Sequence, residues 1–394
     1  MTTSDYSRGG IFPCQWIAKA IEEKVIAADV PIGPDQIQPN SLDLRLGEIA
    51  YRINCSFLPG IEHIDRKLSR FKWYDLNVND SGTVLERNQV YLFPLRESLR
   101  LPGNVSARAN PKSSTGRLDV FTRLVTETGT LFDDVPAGYH GKLYLEVVPR
   151  SFPIIVRHGD ALAQIRFQTG NPVVDDEEVR LRLDSDAIVV TQEMQSMRSS
   201  ELRVSGGVFL SVRLRGKDDS TVGYKARKNQ APIDLRGVGK ASSRHYWERI
   251  HYRSNQPVIL EPDEFYIFAS RELVRLPPDI CAEMVPFDAG SGELRTHYAG
   301  FFDSGFGYLG AGDRATGAAA VVLEIRNRDV PYLIEEGPPL FRLILLHNTE
   351  TPSVLYGSGM GSNYQAQRLR LSKQFRMADD DPDPAAGSQP QLMF

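Results

Sequence analysis

Along most of this chain apolar and polar residues alternate in short runs, and Gly, Pro, Asn and Asp separate one run from the next. SLDLRLG, VYLFPL, KLYLEVV and FPIIV show the pattern in the first half; FLSVRLRG, FYIFAS, AVVLEIR and VPYLI show it in the second. A period of two puts successive side chains on opposite faces of a strand. Many short strands divided by turn residues predict a sandwich or barrel. One segment differs. From Phe12 to Ala28, Ile17, Ile21 and Val25 recur at helical spacing, so one short amphipathic helix is expected there. Helix is otherwise scarce, and the expected class is all-β.

The two sets of runs are parallel, which predicts an internal duplication. The run from Ser41 (SLDLRLG) answers the run from Leu210 (LSVRLRG), and Tyr74-DLN answers Ile233-DLRG. Residues 90–111 (VYLFPLRESLRLPGNVSARANP) match residues 265–286 (FYIFASRELVRLPPDICAEMVP). Residues 143–167 match residues 322–345, again in the same order and at comparable spacing. Strand patterning by convergence does not produce that order. The expected organisation is a first lobe over 1–172 that includes the helix, an exposed connection over 173–204, a second lobe over 205–375, and a disordered Asp- and Pro-rich tail over 376–394.

With 394 residues, 41% of them apolar and 24% charged, each lobe is long enough to bury a core. The formal net charge of −4, with no long Lys/Arg block, argues against a nucleic-acid surface, which needs a concentrated basic footprint. It leaves room for a small anionic ligand. The cysteines Cys14, Cys55 and Cys281 are far apart and suggest neither a disulfide framework nor a thiolate metal site. The N-terminus lacks a signal-peptide pattern and no apolar run is long enough to span a bilayer. The expected setting is the reducing cytoplasm, with no membrane partner.

Several segments carry candidate chemistry. Asn110-PKSSTGRL sets Ser113, Ser114 and Gly116 between Lys112 and Arg117 after a strand. Backbone amides, two hydroxyls and two cations of this kind can surround a polyphosphate. Composition alone does not separate that from a solvated turn. In KLYLEVV, alternation puts Leu143 and Leu145 on one face and Tyr144 and Glu146 on the other; Glu324 stands at the matching place in VVLEIR. A buried carboxylate there would have a raised pKa useful for proton transfer, whereas an edge-strand Glu would be exposed and inert. Ahead of each Glu lies a turn with an acidic residue, glycine and an aromatic ring, Phe132-DDVPAGYHG and Tyr298-AGFFDSGFG. Such a bend can read a base by main-chain groups and stacking, or simply be a tight turn. Near the C-terminus, Tyr356-GSGMGSNYQAQ has the glycines, ring and amides of a lid, or of a plain flexible extension.

Taken in order, the opening helix, PNSLDLRLG, PKSSTGR, the Gly-Tyr or Gly-Phe turn, the LE strand and NYQAQ resemble the dCTP deaminase branch of the dUTPase superfamily, over most of the chain and twice. The resemblance implies two tandem dUTPase-like distorted β-barrel or jelly-roll (β-clip) lobes, a trimer-based homo-oligomer, and active sites between lobes under a flexible tail. It implies a hydrolase acting on a C–N bond: dCTP and water give dUTP and ammonia, with dTTP a candidate inhibitor. It implies phosphate contacts at Lys112, Ser114 and Gly116, and catalytic roles for Ser113, Arg117 and Glu146, with Glu324 in the matching place. Further nucleotide contacts are implied at Asp134, Tyr144, Gln164, Asp303, Tyr356, Asn363, Tyr364 and Gln367. Mg²⁺ would be carried by the triphosphate. Zinc chemistry is not expected, because zinc deaminases need His-x-Glu and Pro-Cys-x-x-Cys.

Departures are legible too. The second copy has Phe287-DAGSGEL where the first has Lys-Ser-Ser, the first has Asp133 and Asp134 in its turn, and an insertion lies between Phe306 and Ala320. The lobes therefore look specialised, and the phosphate turn of one copy can face the base-side residues of another lobe. A dUTP diphosphatase, a bifunctional enzyme, or a nucleotide sensor without turnover are the alternative functions.

Overall fold

A computed structural model describes residues 8–216, 220–253, 257–286, 300–309, 317–357 and 367–377. The fold is all-β, and each lobe pairs two sheets around a core. In the first lobe one sheet joins Leu42–Arg45, Ala161–Thr169, Val105–Pro111 and Asp134–Val135. The other joins Lys72–Asn77, Ile49–Ile53, Val90–Arg100, His140–Pro149 and Val120–Thr126. The second lobe repeats both: Val208–Ser211, Pro339–His347, Ile280–Pro286 and Phe301–Phe302 form one sheet, and Ala319–Arg326, Phe265–Val274, Thr221–Ala226 and Trp247–His251 form the other. Most of the duplicated segments thus occupy matching places, but Tyr74-DLN and Ile233-DLRG do not. Lys72–Asn77 is the edge strand paired antiparallel with Ile49–Ile53, the place that Trp247–His251 takes beside Thr221–Ala226. Ile233–Asp234 instead crosses to pair in parallel with Ile154 and Ile155 of the first lobe.

The predicted helix is shorter than its periodicity suggested. It runs over Cys14–Glu22, Lys24 takes a left-handed φ of 58°, and Ile26–Ala28 then pairs with Leu99, Ser98 and Glu97 as a strand. Val25 still reaches the core, but after the reversal rather than on the helix. The segment 173–204 departs from the exposed connection expected of it. Asp175 caps the helix Asp176–Asp186 by accepting from the Glu178 amide at 2.9 Å, and Val189–Val190 pairs with Val274 and Leu273. The acidic run that reads as a solvated linker is an N-cap and first helical turn, where carboxylates meet unpaired amides. Val174, Val179, Leu183, Ile188 and Val189 are buried in the second core.

The lobes do not hang from a linker; they share an interior. Tyr224, Ala226, Ile233, Trp247, Phe265, Ile267, Val322, Leu371 and Phe375 of the second lobe pack into the core of the first. Fully burying each large side chain contributes about 1.5–3 kcal/mol, so this seam resists opening. Polar links add direction. Ile154 and Ile155 pair in parallel with Ile233 and Asp234, and Arg157 grips Asp234 with two bonds of 2.6 and 3.0 Å. Arg326 meets Asp119 in a buried ion pair that Ser151 joins by donating to Asp119 at 2.6 Å. No helix among the described residues is long and apolar enough to cross a membrane.

Candidate active site between the lobes

The strand Val105–Pro111 ends at a proline, and the chain turns through a single helical turn over Ser113–Gly116. Thr115 and Gly116 both donate to the Lys112 carbonyl, at 2.8 and 3.0 Å, which fixes the turn. Lys112, Ser113, Ser114 and Arg117 line a cavity of about 830 Å³ at the seam. That volume lies in the range of small-molecule sites. Lys112 pairs with Asp43, a buried carboxylate from the SLDLRLG strand. Burial pushes the Asp43 pKa up, and the Lys112 ammonium pulls against that rise.

The facing wall comes from the second lobe. Glu324, Val322, Phe301, Phe302, Asp303, Phe306 and Tyr356 line the same cavity. Glu324 is 2% exposed, so its carboxylate is held inside protein. Its strand comes close to the turn of the first lobe. A Cβ built on Gly116 would stand 2.2 Å from Glu324 Oε2 and 2.7 Å from Oε1. Glycine at 116 is therefore what makes room for the carboxylate. Two residues on, Arg326 reaches Asp119 just beyond the turn, so one ion pair fixes the strand of Glu324 against the segment of Arg117.

Asp303 is held by Arg166, whose buried guanidinium donates to it at 2.8 Å and to the Ala282 carbonyl at 2.8 Å. The same guanidinium lies 4.2 Å from the centre of the Phe301 ring, a cation–π contact. Phe302 and Phe306 meet edge to face at 5.0 Å, and Phe306 leans on Tyr356 at 5.8 Å. The result is an aromatic wall with one oriented carboxylate, which can stack a flat ring and accept its N–H groups. Gln164 also lines the cavity, where its side-chain oxygen accepts from Ser41 at 3.2 Å.

The last wall is the C-terminal strap 367–376. Arg117 donates to Gln367 Oε1 at 2.9 Å and to the Arg370 carbonyl at 3.1 Å. Gln367 in turn donates to the Ala320 carbonyl at 3.0 Å. Ser372 donates to the Ser114 carbonyl at 2.7 Å. The strap thus ties the turn of the first lobe to the Glu324 strand of the second.

Among the candidates, Lys112, Ser113, Ser114, Arg117, Gln164, Asp303, Glu324, Tyr356 and Gln367 line one cavity, with Gly116 at its wall. Glu146, the carboxylate favoured beside Arg117 and Ser113, is not there. It is 1% exposed and accepts from Ser56 at 3.0 Å, on a face covered by Phe57, Ile64 and Leu68 of an extra segment. Burial pushes its pKa up, opposed by the Ser56 bond and by Arg123. Tyr144 is packed in that same cluster, and Asp134 sits on a short strand paired with Val105–Pro111; neither lines the cavity. The reason is topological. A carboxylate on the outer sheet face meets whatever packs there: the first-lobe turn for Glu324, the 54–71 segment for Glu146. Asn363 and Tyr364 lie outside the described residues, as does Phe287-DAGSGEL.

Asp43, Arg236, Phe301, Phe302, Phe306 and Lys373 are cavity residues that sequence reasoning did not select. Asp43 stood in a motif already noted, and a charged residue among Leu42 and Leu44 on an otherwise buried strand was its signal. For Arg236 and Lys373 no local signal existed, because only the packing of the lobes brings them to the cavity.

Fold and cavity together define a two-lobed all-β protein with a polar, cation-lined cavity at the seam. Family models for 2'-deoxycytidine 5'-triphosphate deaminase match twice: its N-terminal domain over residues 8–171 and its C-terminal domain over residues 175–375. The chain belongs to the 2'-deoxycytidine 5'-triphosphate deaminase family. A crystal structure of 2'-deoxycytidine 5'-triphosphate deaminase from Agrobacterium tumefaciens is similar at a TM-score of 0.80 and 41% identity, covering 88% of this chain and 100% of that one. A dCTP deaminase of Metallosphaera sedula is 32% identical over 39% of this chain and 81% of its own length. A "dCTP deaminase, dUMP-forming" of Methanospirillum hungatei is 32% identical over 39% of this chain and 78% of its own.

Proposed function

We propose that this protein deaminates dCTP by hydrolysis, giving dUTP and ammonia, at the cavity between its lobes. One observation carries the reading. A cationic, hydroxyl-bearing turn of the first lobe and a buried carboxylate of the second converge where Gly116 leaves room for Glu324. Polyphosphate suits the end of Lys112, Ser113 and Ser114; cytosine suits the aromatic wall, with Asp303 accepting from its amino group.

In the reaction, water adds to C4 of the cytosine. Glu324 takes a proton from that water and passes it to N3 as the C4–O bond forms. It then moves the remaining hydroxyl proton to the exocyclic nitrogen, so that the C4–N bond breaks, ammonia leaves, C4–O becomes a carbonyl and N3 keeps its hydrogen. General acid–base catalysis of this kind contributes about 10²–10⁴-fold. Arg117, held by Gln367 and the Arg370 carbonyl, supplies positive charge beside the developing oxyanion. Ser113 orients the water. Glu324 takes the role that the sequence had favoured for Glu146. No described cluster of three or more His, Cys, Asp or Glu is arranged to hold a metal. A Mg²⁺ would arrive with the triphosphate and neutralise part of its charge.

The test is incubation with dCTP. Ammonia with dUTP supports the proposal, and binding of dCTP with no ammonia refutes it in favour of a sensor. The name of the Methanospirillum relative favours a second reading, coupled loss of pyrophosphate; dUMP and pyrophosphate in place of dUTP would establish that one.

A further inference from the structure

The strap that closes the cavity brings in a second lysine. Lys373 is half-buried and lines the cavity beside Lys112, Ser113 and Ser114. Its backbone is fixed on both sides. Ser372 donates to the Ser114 carbonyl, and Gln374 donates to the Leu235 carbonyl at 2.8 Å. The Lys373 carbonyl itself accepts from Gly239 at 3.0 Å. Phe375 then pairs with Ala241 and plugs an aromatic cluster with Tyr246 and Trp247, at ring distances of 5.5 and 5.7 Å. An anchored backbone fixes where the Lys373 side chain starts, so its ammonium is confined to the cavity end that the strap covers.

We propose that Lys373 is a direct ligand of the polyphosphate, acting with Lys112 across the bond between Ser372 and Ser114. This deepens the reading of the cavity as a nucleotide site and rests on it. Lys112 and Lys373 both face the Asp43 carboxylate, one anion shared by two cations, so the cavity end keeps positive charge that a polyphosphate can engage. The charge environment agrees. Burial holds the Lys373 pKa below the usual lysine range and the charge of Lys112 lowers it further, against the pull of Asp43 and Asp160. Lysine suits the task because it presents a point charge with donors that rotate to meet different phosphate oxygens.

The experiment measures binding of inorganic tripolyphosphate, which has no base, to the full chain by calorimetric titration. Lys373→Met keeps the apolar stem and removes the charge; it should weaken binding about 10- to 100-fold, the worth of one hydrogen bond to a charged group. Lys373→Arg should recover binding to within a few-fold. In turnover, Lys373→Met should raise KM for dCTP and leave KM for deoxycytidine unchanged. Wild-type protein that fails to bind tripolyphosphate, Lys373→Met protein that binds it as tightly as wild type, or Lys373→Arg protein as weak as Lys373→Met would each overturn the proposal. If wild type binds tripolyphosphate and releases no ammonia from dCTP, the deaminase reading falls while the Lys373 comparison stands.

Discussion

Replacing Gly116 by alanine tests whether the Glu324 carboxylate must sit against the phosphate turn. The added Cβ would stand 2.2 Å from Oε2, and ordinary contact begins at 3.4 Å, so the carboxylate must retreat by roughly 1.2 Å, the difference between the two. A misplacement of about 1 Å in a catalytic group can cost about 10²-fold in rate, close to 2.7 kcal/mol of barrier. The backbone does not oppose the change, since Gly116 lies in a helical turn where alanine costs about 0.5–1 kcal/mol less than glycine. Lys112, Ser113 and Ser114 stay where they are. Gly116→Ala should therefore lower kcat about 100-fold while tripolyphosphate binding stays within a few-fold of wild type. Ammonia release at saturating dCTP gives the first quantity, calorimetric titration the second, and the thermal midpoint confirms an intact fold. Adding Gly116→Ala to Glu324→Gln should bring little further loss, because the displacement acts through a carboxylate that Glu324→Gln has already removed. Wild-type kcat in a folded Gly116→Ala protein would refute the assignment of Glu324.

Other expectations follow from the same geometry. Glu324→Gln should lower kcat about 10²–10⁴-fold, whereas Glu146→Gln should keep turnover within a few-fold, both read by ammonia release. Glu146→Gln should also change the pH dependence of stability. Because burial raises the Glu146 pKa in the folded state, folding takes up a proton there, and the folded state loses stability as pH climbs above the ordinary carboxylate value of 4.5. The thermal midpoint of Glu146→Gln relative to wild type should then rise between pH 4.5 and neutrality, and a constant or falling difference would contradict the burial argument. Asp119→Ala leaves Arg326 charged and buried, which costs about 3–5 kcal/mol, measurable by denaturant titration. Arg166→Met should raise KM for dCTP and leave tripolyphosphate binding within a few-fold of wild type, because Arg166 orients Asp303 beside the aromatic wall, away from the Lys112 turn.

The sequence carried the architecture because strands advertise themselves locally. Alternation in KLYLEVV does separate Leu143 and Leu145, in the first core, from Tyr144, in a side cluster with Leu92 and Val125. Duplication was readable because strand and turn residues kept their order. Where a carboxylate looks out from such a strand is another matter. Glu146 and Glu324 stand in matching strings, and nothing in either string says that Phe57 and Ile64 will lie over one and Gly116 against the other. That difference is made by tertiary packing. The same limit hid Lys373, which is brought to the cavity by a strap anchored through Ser372 on the Ser114 carbonyl and through Phe375 in the core.

The geometry also accounts for why two divergent copies persist in one chain. The first lobe contributes the turn at 112–117, and its own outer carboxylate is covered by the segment that carries Ser56 and Phe57. The second lobe contributes Glu324 and Asp303, and its sequence at the matching turn has lost Lys-Ser-Ser. The turn at 112–117 comes from the first lobe and the aromatic wall with Glu324 from the second, so the cavity is complete only where the lobes meet. The shared core makes that division workable. With Trp247, Phe265 and Val322 packed into the first lobe, Glu324 meets Gly116 with the register of a covalently fixed neighbour rather than that of a docking partner. A break at the seam, such as Asp119→Ala, should therefore lower kcat as well as stability. A variant that loses stability yet keeps wild-type kcat while folded would show that the seam holds the lobes together without aligning the carboxylate.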